Sequence, residues 1–178
     1  MREQQLIRRA LNINFSRLQT LDLAFLALFI VFTSVATALA IPGPYGSYFN
    51  LGEVAIFLVA LLCGPITGAL AGAVGSAMTD MFLGYTIWAP FTFVIKGVEG
   101  YIVGRLGRPL GFKRSLLAIV IGGLWMIFGY GTTIAFLYGW PAVIPEVLID
   151  IAQVSIGALI ALPLAFKVHR ALKLDKEL

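Results

Sequence analysis

Charge is scarce in this chain. Thirteen Lys and Arg and nine Asp and Glu make up only 12% of 178 residues, about half the share in a soluble domain. That shortage excludes a disordered chain, a nucleic-acid-binding domain and an ordinary soluble enzyme. The single cysteine, Cys63, excludes an internal disulfide and any multi-cysteine metal site. The single histidine, His169, lies in the charged C-terminal stretch, so histidine-based catalysis at membrane depth is excluded. There is no G-x-x-x-x-G-K-[ST], no H-E-x-x-H and no G-x-S-x-G. A carboxylate-only intramembrane enzyme is the one catalytic class left, and neither a metal nor a cofactor is expected.

Apolar sequence is abundant instead. Hydrophobic residues reach 60% and the mean hydropathy is +0.93, values of a chain whose solvent is lipid. At roughly 20 residues per spanning helix the chain holds one compact bundle of about six spans. Hydropathy and turn residues place them near 21–41, 51–63, 66–82, 90–106, 116–137 and 143–166. The second is short, as for a tilted or re-entrant segment. Gly64-Pro65 and Tyr138-Gly139-Trp140-Pro141 read as turns, and Pro42-Gly43-Pro44-Tyr45-Gly46-Ser47-Tyr48-Phe49-Asn50 as the first loop. Ala38-Leu39-Ala40 resembles a signal-peptide cleavage site, a possibility set aside because the preceding polar leader is long and more spans follow. The expected fold is all-α: a six-helix membrane domain over 21–168, preceded by an amphipathic cytoplasmic segment (1–20) and followed by a cytoplasmic tail (169–178).

The positive charges test that layout. Arg2, Arg8, Arg9 and Arg17 precede the first span. Arg105, Arg108, Lys113 and Arg114 separate spans four and five. Lys167, Arg170, Lys173 and Lys176 follow the sixth. With six spans all twelve fall on one side, and the rule that Lys and Arg stay inside makes that side the cytoplasm. The thirteenth, Lys96, lies within span four.

Lys96 belongs to a second pattern. Glu53, Asp80, Lys96, Glu99, Glu146 and Asp150 all fall at membrane depth, where each costs about 2.5–3.5 kcal/mol at a helix centre unless it has a partner or a wet cavity. Lys96 pairing with Glu99 or Asp80 would be a purely structural use. One cation does not serve every acid, however, so an outward-open polar pocket is the alternative, with Gln153 one turn below Asp150. Tyr48, Asn50, Tyr85, Trp88, Tyr130 and Trp140 are candidate lining groups, and each aromatic is equally read as an interface anchor. Such a pocket prefers a cationic or hydroxyl-rich ligand to an anion.

Small residues recur four apart, on one helix face: Gly64, Gly68, Gly72, Ser76 and Asp80 in span three, and Lys96, Gly100 and Gly104 in span four. In span one, Thr33, Thr37 and Ile41 form one line and Ala36 and Ala40 another. Such stripes let helix backbones approach closely, inside the bundle or, for span one, against another membrane subunit.

Taken in order, Asn50-Leu51-Gly52-Glu53, Leu61-Leu62-Cys63-Gly64-Pro65, Gly68-Ala69-Leu70-Ala71-Gly72, Thr79-Asp80, Gly84-Tyr85, Trp88-Ala89-Pro90 and Ile95-Lys96-Gly97-Val98-Glu99-Gly100 resemble the substrate-binding S components of energy-coupling factor (ECF) transporters. The likeness is to the group associated with riboflavin, pyridoxine and the hydroxymethylpyrimidine precursor of thiamine, and its motifs cover about residues 30–105. It implies a membrane subunit that captures a vitamin from outside a prokaryotic cell and docks on a T component driven by two ATPase subunits. It further implies a lid role for residues 45–50, T-component contacts at Ala36 and Ala40, and a toppling motion that carries the pocket inward. The surplus of acids then favours a pyridoxine or thiamine-precursor ligand, with riboflavin next, over anionic vitamins. The expected substrate-binding residues are Tyr48, Asn50, Glu53, Asp80, Tyr85, Trp88, Lys96, Glu99, Asp150 and Gln153. A stand-alone ion- or proton-coupled carrier using Asp80, Lys96, Glu99 and Asp150 as a relay is the alternative, and a structural membrane subunit without ligand is the third.

Overall fold

Glycine and proline punctuate the chain where helices end, and the computed structural model, which describes residues 2–171, follows that punctuation. The described residues form seven helices: α1 (Arg2–Leu11), α2 (Thr20–Ala38), α3 (Gly52–Cys63), α4 (Pro65–Leu83), α5 (Ala89–Leu106), α6 (Phe112–Tyr138) and α7 (Val143–Ala171). Gly64, at φ +94°, ends α3, and Pro65 starts α4, each residue in the role its backbone favours. Gly84, left-handed at φ +87°, caps α4, its N–H and that of Tyr85 both reaching the Asp80 carbonyl.

Four helices are long and apolar enough to cross a membrane: α2, α4, α6 and α7 with its leading 3-10 turn. The other two expected spans differ. At 12 residues, α3 is about 18 Å long at 1.5 Å per residue, short of the ~30 Å hydrocarbon core. The 18 residues of α5 carry Lys96, Glu99 and Arg105. Both nevertheless pack in the bundle: α3 is almost wholly buried, while α5 buries the face that bears Thr92, Lys96, Glu99 and Val103 and exposes Phe93, Val94 and Tyr101.

The end of the first span departs from expectation. Helix α2 stops at Ala38, and Ala40–Pro42 (β1) pairs antiparallel with Tyr48–Asn50 (β2), Ile41 opposite Phe49. The hairpin tip is a 3-10 turn at Pro44–Gly46 in which Tyr45 takes φ +56°. Ile41 and Ala40 therefore leave the helix, and neither continues the four-residue stripe expected of span one.

The stripes of α4 and α5 do face each other. A β-carbon on Gly104 would stand 2.7 Å from the Gly64 carbonyl carbon and from Pro65 Cα, and one on Gly72 would stand 2.6 Å from the Lys96 carbonyl oxygen. Only hydrogen fits at this crossing, and the close backbone contact supplies the dispersion energy that holds helices together in lipid. Thr33 packs likewise against Gly75 of α4, and Ser34 Oγ lies 2.8 Å from Thr79 Oγ1.

The basic segments gather at one end. Arg108 donates to Asn12 Oδ1 at 3.3 Å, and Phe112 meets Phe166 with ring centroids 6.4 Å apart. The region after α1, the α5–α6 connection and the last turns of α7 are thus neighbours. Lys173 and Lys176 lie outside the described residues. Helix α1 exposes Leu6 and Ile7 and is anchored by Arg9, which grips Asp22 through Nε at 2.8 Å and Nη2 at 2.9 Å. Asp22, at 3% exposure, is a buried acid the sequence reading passes over; its position three residues after Gln19, whose N–H it accepts at 2.9 Å, is a helix-start signature that could have marked it.

Candidate functional site

At the opposite end the hairpin, α2, α4, α5, α6 and α7 enclose a polar cavity. Its wall includes Thr37, Gly46, Ser47, Tyr48, Asn50, Ser76, Trp88, Thr92, Lys96, Tyr130, Glu146, Asp150 and Gln153. Each comes from an element already placed. The hairpin contributes Gly46, Ser47, Tyr48 and Asn50; Trp88, at the start of α5, and Thr92 and Lys96 on one face of it follow at four-residue spacing; α7 contributes Glu146, Asp150 and Gln153. The enclosed space is about 30 Å³, on the order of one water molecule. The expected outward-open pocket is therefore narrow in this conformation.

Lys96 is the hub. Its ammonium pairs with Glu53 of α3, lies 3.4 Å from Glu99 Oε2 and sits 5.3 Å from the centre of the Tyr130 ring. The expected partners were Glu99 or Asp80; the structure chooses Glu53, 43 residues away, with Glu99 second. Asp80 instead accepts from the Tyr48 hydroxyl. Tyr48, in the hairpin, has its pKa pushed above the ordinary value by burial and further by the neighbouring Asp80 charge, so it keeps its proton and donates. The Tyr85 ring packs against that of Tyr48, tilted by 30° with centroids 4.7 Å apart.

Of the ten sequence-predicted site residues, Tyr48, Asn50, Trp88, Lys96, Asp150 and Gln153 meet on the wall. Glu53, Asp80, Tyr85 and Glu99 sit one layer out, holding Lys96 or Tyr48. Trp140, 79% exposed, is not at the cavity. Ala36 is half-buried on α2, while Ala40 lies on β1, so the two do not share a helix face. Thr37, Ser47, Ser76 and Thr92 join the wall unforeseen. Thr92 and Ser76 were findable: each lies one turn from a recognised residue, Lys96 and Asp80, on the same face.

Two hydrogen bonds tie the hairpin down: Tyr48 to Asp80, and the Asn50 N–H to Gln153 Oε1 at 2.8 Å. Tyr48→Phe removes the first and leaves Asp80 buried without its donor, a loss of about 1–3 kcal/mol. The expected result is faster amide hydrogen exchange across the hairpin, with the α4–α5 core unchanged. Equal exchange in both regions would show that the bond does not hold the hairpin.

Fold and site together define a nearly all-helical membrane protein with a polar cavity beneath a β-hairpin near one end. The chain belongs to the family of S components of ECF-type riboflavin transporters, whose family model matches residues 17–170. It is 42% identical over 132 residues to an uncharacterized protein from the gap 3′ region of Pyrococcus woesei, covering 74% of this chain and 88% of that protein. It is 29% identical over 131 residues to the thiamine precursor transporter HmpT of Lactococcus lactis, covering 73% of this chain and 75% of that one. A UPF0397 protein of Aliivibrio fischeri matches at 37% over 90 residues, 45% of this chain and 48% of its own.

Proposed function

We propose that this S component captures a water-soluble vitamin or vitamin precursor from outside a prokaryotic cell and delivers it inward with a T component and two ATPase subunits. The observation that carries the reading is the narrow polar cavity beneath the hairpin, at the end away from the basic segments. In this arrangement α2 to α7 all span the plasma membrane, the short α3 shielded by its neighbours. Both termini are cytoplasmic, with α1 on the membrane surface; of the expected tail, residues 169–171 belong to the end of α7 and residues 172–178 lie outside the described residues. The hairpin is the lid. The exposed face of α2 around Ala36 is the proposed T-component surface. ATP hydrolysis belongs to the partner subunits, and this chain is not an enzyme.

Among ligands, the pyridoxine and thiamine-precursor types are favoured, with riboflavin next. Five buried carboxyl groups (Glu53, Asp80, Glu99, Glu146, Asp150) share one buried lysine among the described residues, which suits a ligand rich in hydrogen-bond donors. The name of the HmpT relative supports the same choice.

Thermal unfolding of the purified protein against a vitamin panel tests this. A true ligand at 100 times its Kd adds about 2.7 kcal/mol, so a single-ring pyrimidine or pyridine is expected to raise the Tm clearly. Uptake into vesicles is expected to require the T component and the ATPases. Uptake by this chain alone on an ion gradient would replace the proposal with a self-sufficient carrier.

A further inference from the structure

Another cavity, of about 440 Å³, lies at the basic end of the bundle, away from the hairpin. It is walled by residues 12–15 after α1, by Cys63, Pro65, Ile66 and Thr67 around the α3–α4 turn, and by Arg108. Arg108 is its one charged group, and no Asp or Glu lines it. The guanidinium is half-buried and lies against the turn that opens α4: a β-carbon on Gly64 would stand 2.7 Å from Arg108 Nη1. Arg108 donates to Asn12 Oδ1 at 3.3 Å, and among the described residues no carboxylate pairs with it. The start of α4 is the positive end of a helix dipole, so the cation and the helix bring the same sign of charge to this cavity. An anion would relieve both.

Cys63 also lines a hollow of about 280 Å³ whose every wall residue is apolar. Leu28, Phe29 and Phe32 come from α2, Leu58 and Leu62 from α3, and Leu11, the neighbour of Asn12, from α1. Leu28 is still 59% exposed and Phe32 42%, so the protein does not seal the hollow. Phe32 lies about 18 Å along α2 from Thr20 at 1.5 Å per residue, close to the ~15 Å of half a hydrocarbon core. A cation at the level of the basic segments, meeting at one residue an apolar hollow as long as a leaflet is deep, matches an amphiphile with an anionic head. We infer that this end of the protein holds an anionic phospholipid. Its phosphate sits on the Arg108 fork, which suits two oxygens at once, and an acyl chain lies between α2 and α3. In the orientation proposed above the leaflet is the inner one. A zwitterionic lipid brings its own ammonium and is a poorer partner for Arg108. A free phosphate carries the charge but leaves the hollow empty. The site is separate from the hairpin cavity and does not depend on what that cavity binds.

Native mass spectrometry of the purified full chain in detergent, titrated with phosphatidylglycerol or with phosphatidylcholine of the same acyl chains, tests the inference. Phosphatidylglycerol is expected to bind about 10–100-fold tighter, the range set by a hydrogen bond to a charged group. Arg108→Gln should erase that preference. Lys113→Gln makes the same charge change in the same connection but off the cavity wall, and should alter the preference by no more than about fivefold, the pull of one surface charge. Arg108→Lys keeps the charge without the fork and should fall between the native protein and Arg108→Gln. Inorganic phosphate and glycerol 3-phosphate at the lipid's concentration should neither bind nor displace phosphatidylglycerol. The preference is a ratio read within one folded protein, so a general loss of stability does not imitate the result. Equal binding of the two lipids by the native protein overturns the inference, as does a preference left at its native value by both Arg108 variants or lowered equally by Lys113→Gln. Inorganic phosphate binding as tightly as phosphatidylglycerol overturns it too, leaving an anion pocket with no use for a chain.

Discussion

Replacing Lys96 with methionine is expected to lower stability by about 3–5 kcal/mol, the cost of removing one partner from a buried ion pair. The side chain is 3% exposed, and its ammonium lies against Glu53 and Glu99, both at 0%. Methionine fills similar space but leaves two acids facing each other without a cation. Neither can reach water, and in a membrane-embedded bundle neither finds a substitute in lipid. At roughly 2–4 °C per kcal/mol for a chain of this size, thermal unfolding in detergent should show a Tm at least about 6 °C lower. Adding Glu53→Gln should recover part of the loss, since contacting residues couple by about 0.5–3 kcal/mol. A Tm close to the native value in the single variant would show that Lys96 is solvated rather than locked, and would return it to the set of ligand-binding groups.

The second large effect lies at the crossing of α4 and α5. Gly104→Ala puts a methyl group 2.7 Å from the backbone of Gly64 and Pro65, atoms that do not move without shifting a helix. Overpacking of this kind costs about 1–3 kcal/mol. Gly104→Leu multiplies the clash and is expected to abolish the folded protein, read as loss of the monodisperse species in size-exclusion chromatography. Gly111→Ala is the control. Nothing lies within 4 Å of its added carbon, its φ of −158° is open to any residue, and its effect should stay within about 0.5 kcal/mol. If Gly104→Ala is equally silent, close backbone approach does not hold these helices together.

The two experiments also separate what each level of description supplies. The Gly104 result is nearly legible in the sequence, because small residues four apart share a face whatever that face meets. The Lys96 result is not. Local spacing offered Glu99 three residues on, and the pair that forms joins positions 43 apart. Similarly, Asp80 could be listed as a buried acid, but its donor, Tyr48, arrives only because residues 40–50 form a hairpin. Nine residues rich in turn formers look like an open loop when read alone. Pairing across β1 and β2 turns them into a hairpin over the polar cavity, and it takes Ala40 off the helix.

From sequence alone came the membrane class, the helix boundaries to within a few residues, the segregation of Lys and Arg to one end and the list of acids that needed an explanation. These are properties of short stretches: hydropathy over some twenty residues, turn chemistry over two to four, charge counted along a line. Tertiary structure alone decided which acid neutralises Lys96, which ones are left facing the cavity, and how narrow the cavity is. Those outcomes depend on how each helix is rotated and how far it slides along its neighbours. A shift of a single residue turns a helical side chain by about 100°, and no local pattern fixes that angle until the glycine faces of α4 and α5 have met.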